Sequence, residues 1–388
     1  MTDIAAAVSA DIRQLEPKNE LDPRYESPPL LSRILNATTI SAIQGANASG
    51  NWYKGWQQWF SPPGFKGPDI VKTYDVKANL PVDIFFPSSY DQTSPLTLPT
   101  LFTIHGGGFC IGTPADDTRW NRAFADTHNT LVIALNYSKA PWSPFPGPVH
   151  DVACLFLSAA SDPSLPIDKS RVAISGFSAG GNLALALCQL PTVRSHPAAP
   201  KAVVPIYPPV DVSRTPASKR RQYKVDTRLA GLRGAKKDWV LPIAGVFDWS
   251  YISPGINLRH PLLSTFYAKR EDLPAQVFFV AAELDFLAEE AHQMALRLAG
   301  RERDASYGEI PGRPEASGKV GELELGDERF AWEEKDVRWL LVPDVVHAFD
   351  YHVGAEISGD EEATRDAEAK TEKYIRLVGE WLFTKVWA

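Results

Sequence analysis

Cysteine is scarce in this chain of 388 residues: only Cys110, Cys154 and Cys188 are present. So few, so widely spaced and odd in number, they exclude a disulfide framework and a cysteine-built zinc site, and they fit a reducing compartment. No run of about 18 apolar residues occurs, which excludes a membrane-spanning helix. The N-terminal stretch carries acids at Asp3 and Asp11 and no long apolar core, so neither a secretion signal nor a transit peptide is expected there. The Asn-x-Ser/Thr positions at Asn36, Asn47 and Asn136 are therefore not expected to meet the glycosylation machinery. A surplus of positive charge is missing too. Forty Lys+Arg against 47 Asp+Glu leave a net charge of -7, which argues against a nucleic-acid partner.

Cofactor motifs are likewise absent. Residues 106–112 do not satisfy G-x-G-x-x-G, H-E-x-x-H does not occur, and Gly318-Lys319 lacks both the upstream glycine and a following Ser or Thr. No cofactor and no metal is expected. What remains is a cytoplasmic protein without a membrane span, working as a monomer or a homodimer.

The composition that is present, 44% hydrophobic and 22% charged, can build a large core. Prolines number 32 and cluster in connections such as 141–148 and Pro208-Pro209, the mark of ordered loops between short elements. From Leu98 onward, short β-branched runs alternate with helical stretches, the rhythm of a parallel sheet covered on both faces. Strands are expected at Leu101–His105, Leu131–Asn136, Val172–Gly176, Ala202–Tyr207, Gln276–Ala282 and Val337–Val342. An antiparallel pair at Val71–Val76 and Val82–Phe86 is expected to start the same sheet. Helices are expected at Asp117–His128, His150–Ala160, Ser178–Leu190, Glu289–Leu298 and Glu361–Phe383.

Two segments break this rhythm and read as lid material: 1–70 and 211–257. The core then comprises 71–210 and 258–388, with 301–336, rich in Gly, Glu and Asp, as a surface insertion. The second lid segment is basic, with Arg214, Lys219, Arg220, Arg221, Lys224, Arg228, Arg233, Lys236 and Lys237 relieved by Asp226 and Asp238. A solvated helix face is the expected role of these charges. Trp52, Trp56 and Trp59, with Tyr53 and Phe60, share a helical face in the first lid segment. They form either packing contacts or an aromatic wall over a ligand.

Gly176-Phe177-Ser178-Ala179-Gly180 matches G-x-S-x-G between an apolar strand and an apolar helix. A serine at such a turn projects its hydroxyl out of the sheet, and small neighbours permit strained angles and close packing. Three fixed residues are a weak signal alone. His105-Gly106-Gly107-Gly108-Phe109, directly after an earlier strand, strengthens it. Three glycines leave N–H groups unshielded toward an oxygen that becomes anionic in acyl transfer, and the Ala179 N–H at the next helix start would add a donor. Phe109 and Phe177, beside these loops, are candidate substrate contacts.

A nucleophilic serine needs a base, and the base an acid. His347 follows the strand at Val337–Val342 and comes after the serine in sequence; His352 is its nearest rival. Asp285 follows the strand at Gln276–Ala282, with Glu283 and Asp344 as alternatives. His105 belongs to the glycine loop, and the other five histidines suit packing or solvated roles.

These pieces resemble the hormone-sensitive-lipase-like branch of the α/β-hydrolases, over about residues 95–385. The resemblance is carried by the two glycine motifs, Asn136-Tyr137-Ser138-Lys139-Ala140-Pro141, Asp285-Phe286-Leu287 and His347-Ala348-Phe349. It implies an α/β-hydrolase fold with a mostly parallel central sheet, helices on both faces and a helical cap built from the N-terminus and an insertion. It implies a serine carboxylester hydrolase with Ser178, Asp285 and His347 as triad, and Gly106, Gly107, Gly108 and Ala179 as oxyanion hole. The partner would be a small-molecule ester, of small to medium size and apolar. The same triad also serves lactone or amide hydrolysis or acyl transfer, and the fold can carry a ligand-binding module without turnover. Three departures bear on pocket shape: Phe177 stands where Asp or Thr is usual, Phe286 where Pro is common, and 301–336 lengthens the span from Asp285 to His347.

Overall fold

The computed structural model describes residues 2–17, 19–60, 64–91, 93, 96–224, 229, 231–301, 310–315, 317–351 and 360–388; the side chains of 2, 51–52 and 54–60 are also outside it. Among the described residues, nine strands form one sheet in the order β1-β2-β4-β3-β5-β6-β7-β9-β8. They are β1 Ile70–Lys72, β2 Val82–Phe85, β3 Leu98–Ile104, β4 Leu131–Leu135, β5 Ile167–Phe177, β6 Ala202–Ile206, β7 Gln276–Ala282, β8 Ala331–Glu334 and β9 Val337–Val342. The run from β4 through β9 is parallel. Antiparallel pairing is confined to β1, β2 and β8 at the two edges.

The helices are α1 Thr2–Gln14, α2 Leu30–Phe60, α3 Thr118–His128, α4 Gly147–Ala160, α5 Ala179–Cys188, α6 Pro191–Arg194, α7 Gly231–Gly234, α8 Leu241–Tyr251, α9 Ala288–Ala299 and α10 Glu361–Trp381. Side chains alternate across each strand, so neighbours feed different cores. Phe102, Ile133, Ile174, Val203 and Phe279 pack with α4, α5 and α9 on one face. Leu101, Val132, Ala173, Val204 and Phe278 pack with α3 and α10 on the other. Both faces are covered, which is why β3, β4 and β6 are buried along their whole length.

The structure corrects three sequence expectations. The strand at Val71–Val76 stops at Lys72, because a short 3-10 turn at Asp75–Lys77 interrupts it. The stretch read as a surface insertion supplies the edge strand β8, whose Trp332 reaches the core; four residues with two glutamates gave too weak a period to see. The basic charges of 211–257 are only partly solvated. Arg220, Lys236 and Lys237 are exposed, but Lys219, Arg221, Lys224 and Arg233 are buried. Lys219 pairs with buried Glu290 at 2.7 Å and Arg233 with the partly exposed Asp360 at 3.0 Å, so these cations neutralise acids rather than face water.

Helices α2 and α8 pack on each other. Ahead of α2, Tyr25 N–H donates to Ile256 O at 2.9 Å and Arg24 Nη1 to Gly255 O at 2.9 Å, tying 1–70 to the end of 211–257. Among the described residues, no helix is long and apolar enough to cross a membrane.

Candidate active site

Because β3, β5, β7 and β9 run parallel, the loops after them emerge on one edge of the sheet. Those loops carry Gly106–Gly108, Ser178, Asp285 and His347 respectively.

Ser178 sits between β5 and α5 with φ 51° and ψ −118°, a conformation that costs a non-glycine residue energy and lifts its hydroxyl off the sheet. The flanking glycines are required by contact. A Cβ on Gly176 would stand 2.2 Å from Gly180 O, and one on Gly180 2.0 Å from Ile104 O. Ser178 N–H is held by Ile206 O at 2.9 Å.

His347 Nε2 lies 2.9 Å from Ser178 Oγ, and its Nδ1 lies 2.7 Å from Asp285 Oδ2. A carboxylate only accepts, so Nδ1–H donates to Asp285 and Nε2 is left to accept the serine O–H. Asp285 is fully buried, and its other oxygen accepts Leu287 N–H at 2.9 Å. Burial works to lower the pKa of His347, but the Asp285 carboxylate, with Asp238 and Asp350 farther off, outweighs it and holds the pKa above the usual histidine value. The alternative acids are engaged elsewhere. Glu283 accepts the N–H of Asp344 and of Arg313, each at 2.9 Å, and Asp344 bonds Lys224 and Gly318 N–H. The rival base, His352, lies outside the described residues.

Gly107 and Gly108 have φ of 111° and 56°, and a Cβ on Gly107 would stand 2.2 Å from Ile111 O. Their loop is braced from behind. Tyr137 O–H donates to Gly106 O at 2.9 Å, and the His105 ring stacks on Tyr137 with centroids 4.3 Å apart. Among the described residues, the N–H groups of Gly107, Gly108 and Ala179 have no acceptor. Burial lowers the pKa of His105 well below the usual value, keeping a neutral ring beside Lys139 Nζ at 3.2 Å.

Ser178, His347 and the three glycines open on a cavity of about 590 Å³. Phe109 and Phe177 line it, together with Ile43 and Ala46 of α2, Val240, Ile243 and Phe247 around α8, and Phe286. The side chains of Trp52 and Trp56 lie outside the described residues. Sequence reading missed Tyr207, whose ring meets the edge of His347 with centroids 4.8 Å apart and whose O–H donates to Asp350. It also missed the carboxylates Asp116, Asp117 and Asp248 on the cavity wall. Two of them close a 3-10 turn before α3 and the third sits singly in α8, so no periodic signal marks them. Asp238, whose pKa burial and Asp285 push up to about 6, accepts Phe286 N–H at 3.2 Å beside Asp285. Among the described residues, no group of three His, Cys, Asp or Glu side chains is placed to hold a metal ion.

The sequence model of a family described as the alpha/beta hydrolase fold matches residues 101–316. This chain belongs to that family, in its hormone-sensitive-lipase-like branch. Among curated relatives, the arylacetamide deacetylase of Oryctolagus cuniculus is 30% identical over 164 residues, 41% of this chain and 40% of that one. An acetyl-hydrolase of Streptomyces hygroscopicus is 30% identical over 188 residues, 47% of this chain and 56% of that one. An arylesterase of Saccharolobus solfataricus is 28% identical over 59% of this chain and 71% of its own length. The chain thus spans about half the length of the first curated relatives it matches. Among solved structures, an esterase of Pyrobaculum calidifontis superposes with a TM-score of 0.61 at 18% identity, over 93% of this chain and 99% of that one. An ester hydrolase from the Lake Arreo metagenome gives 0.58 at 22%, over 92% of this chain and 100% of that one. Both likenesses establish the α/β-hydrolase fold.

Proposed function

We propose that this chain is a serine carboxylester hydrolase that cleaves small to medium, largely apolar esters through an acyl-enzyme. The observation that carries the reading is the line Ser178–His347–Asp285, at 2.9 Å and 2.7 Å, ending at the floor of the cavity beside a loop of three glycines. In this account His347 takes the Ser178 proton as Oγ attacks the ester carbonyl, and Asp285 holds the ring and stabilises the imidazolium. The N–H groups of Gly107 and Gly108, on a loop completed by Gly106, and of Ala179 at the start of α5 receive the oxyanion. His347 then gives its proton to the leaving alcohol, and water repeats the sequence on the acyl group.

The cavity volume falls within the roughly 300–1,000 Å³ of small-molecule sites, which supports a discrete ester rather than an emulsified lipid. The wall from α2 and α8 supports 1–70 and 211–257 as a cap over a core of 71–210 and 258–388. The proposed compartment is the cytoplasm, supported by three free, buried cysteines, and the working unit is a monomer or homodimer.

Hydrolysis of a p-nitrophenyl acyl series from acetate to palmitate, by wild type and Ser178→Ala, tests the reading. Turnover of short chains that vanishes in the variant is the expected result. No turnover of any chain would overturn it in favour of a binding module, and faster cleavage of matched lactones or amides would reassign the leaving group.

A further inference from the structure

Lys224 crosses from the 211–257 segment to the ends of β7 and β9, where its side chain is 1% exposed. Its Nζ lies 2.8 Å from Glu283 Oε2 and also donates to Asp344 Oδ1. Glu283 stands two residues before Asp285, and Asp344 three before His347. The two loops are already stitched together, Leu284 N–H to Val345 O at 2.9 Å and Asp344 N–H to Glu283 Oε2 at 2.9 Å. Leu229 packs on Leu284 and Val346, the residues next to the triad acid and base. This places two carboxylates side by side in the interior, an arrangement that repels unless a cation lies between them. Lys224 is that cation, and it comes from the segment whose Val212, Lys219, Trp239 and Phe247 line the cavity.

We propose that Lys224 is a positioning residue that locks the Glu283 and Asp344 loops together, and thereby holds Asp285 against His347 while joining the cavity wall to the triad. The inference rests on the hydrolase reading above. It follows from scale: a displacement of about 1 Å in a catalytic group costs on the order of 10²-fold in rate. Through its contacts with Glu283 and Asp344, Lys224 acts on the loops that carry Asp285 and His347. The charged groups acting on His347 are Asp285, Asp238 and Asp350, with Arg221 near Asp238 and Asp285.

The test compares wild type, Lys224→Met, Lys224→Arg and the neutral triple variant Lys224→Met/Glu283→Gln/Asp344→Asn, using p-nitrophenyl butyrate, a fluorophosphonate probe and circular dichroism. In Lys224→Met, kcat is expected to fall at least tenfold with KM within twofold. The pH midpoint of kcat/KM is expected to move down, because His347 loses part of the Asp285 contact, and Lys224→Arg should restore most of the rate. If Lys224→Met does not fold, the triple variant, free of buried charge, should show the same loss and the same shift. A folded variant with wild-type kcat and an unmoved midpoint overturns the proposal. A wild type that neither cleaves an ester nor takes the probe at Ser178 overturns the hydrolase reading, and this one with it.

Discussion

At His347, burial and charge pull in opposite directions. Loss of water disfavours the imidazolium, while Asp285 at 2.7 Å favours it, and charge prevails. A general base must be neutral to accept a proton, so activity is lost as pH falls through this raised pKa. The pH profile of kcat/KM should therefore rise with a midpoint above 6.5, the usual histidine value. Asp285→Asn should lower the midpoint and reduce kcat about 10³–10⁴-fold, because the amide no longer fixes the tautomer. A flat profile from pH 5 to 8 would contradict the role. At Gly107, a methyl group has no room, since it would stand 2.2 Å from a backbone oxygen at a φ of 111°. Gly107→Ala should cost about 10²–10³ in kcat while the fold survives, which steady-state kinetics with circular dichroism would measure. The candidate positions Ser178, His347 and Asp285 could be read in the sequence because each follows a mostly apolar strand. Tyr207, Asp238, Asp350 and Lys224 could not: their importance arises from contacts between segments 50 to 150 residues or so apart in the chain.

The elements around the cavity differ in how well the sequence announced them. Strands β3 to β7 and β9 stood out as apolar runs between turn residues. Helices α1 and α8 did not, nor did α2 ahead of the aromatic helical face at Trp52–Phe60, because α2 mixes Gly, Asn and Thr into its 31 residues and α8 is apolar on nearly every side. Helices α2 and α8 pack on each other, while α1 packs on α4 and α6. Gln44 of α2 donates to Cys110 O at 3.0 Å and Ala140 O at 2.9 Å, fixing α2 on the segment that follows the glycine loop. From α8, the ring of Phe247 lies where a Gly108 side chain would be, 2.4 Å from an added Cβ. Phe247→Ala should therefore open the cavity over the glycines. The ratio of kcat/KM for octanoate over butyrate p-nitrophenyl esters should rise about tenfold, the scale of one or two methylenes newly accommodated. An unchanged ratio would place the acyl chain elsewhere.

Across the whole molecule, one sheet separates two cores, and both are needed to hold the loops on its edge. Phe156 of α4 packs edge-on to Phe102, with centroids 4.7 Å apart, on one face; Trp381 of α10 packs on Phe278 at 5.3 Å on the other. Phe156→Ala and Trp381→Ala should each cost about 3–5 kcal/mol. With no shared partner, the two losses should add in denaturant unfolding. The fold class and the order of elements were legible because a parallel sheet needs continuous apolar strands and covering helices. The burial of the basic segment was not, because a run of lysines and arginines reads as solvated until its acidic partners, Glu283, Glu290, Asp344 and Asp360, are brought to it by the fold. The most direct test of the account is intact-protein and peptide mass spectrometry after exposure to a fluorophosphonate. The account predicts one adduct, on Ser178, that forms at least 100-fold more slowly in His347→Ala. No adduct, or an adduct on another serine at an equal rate in both proteins, would contradict it.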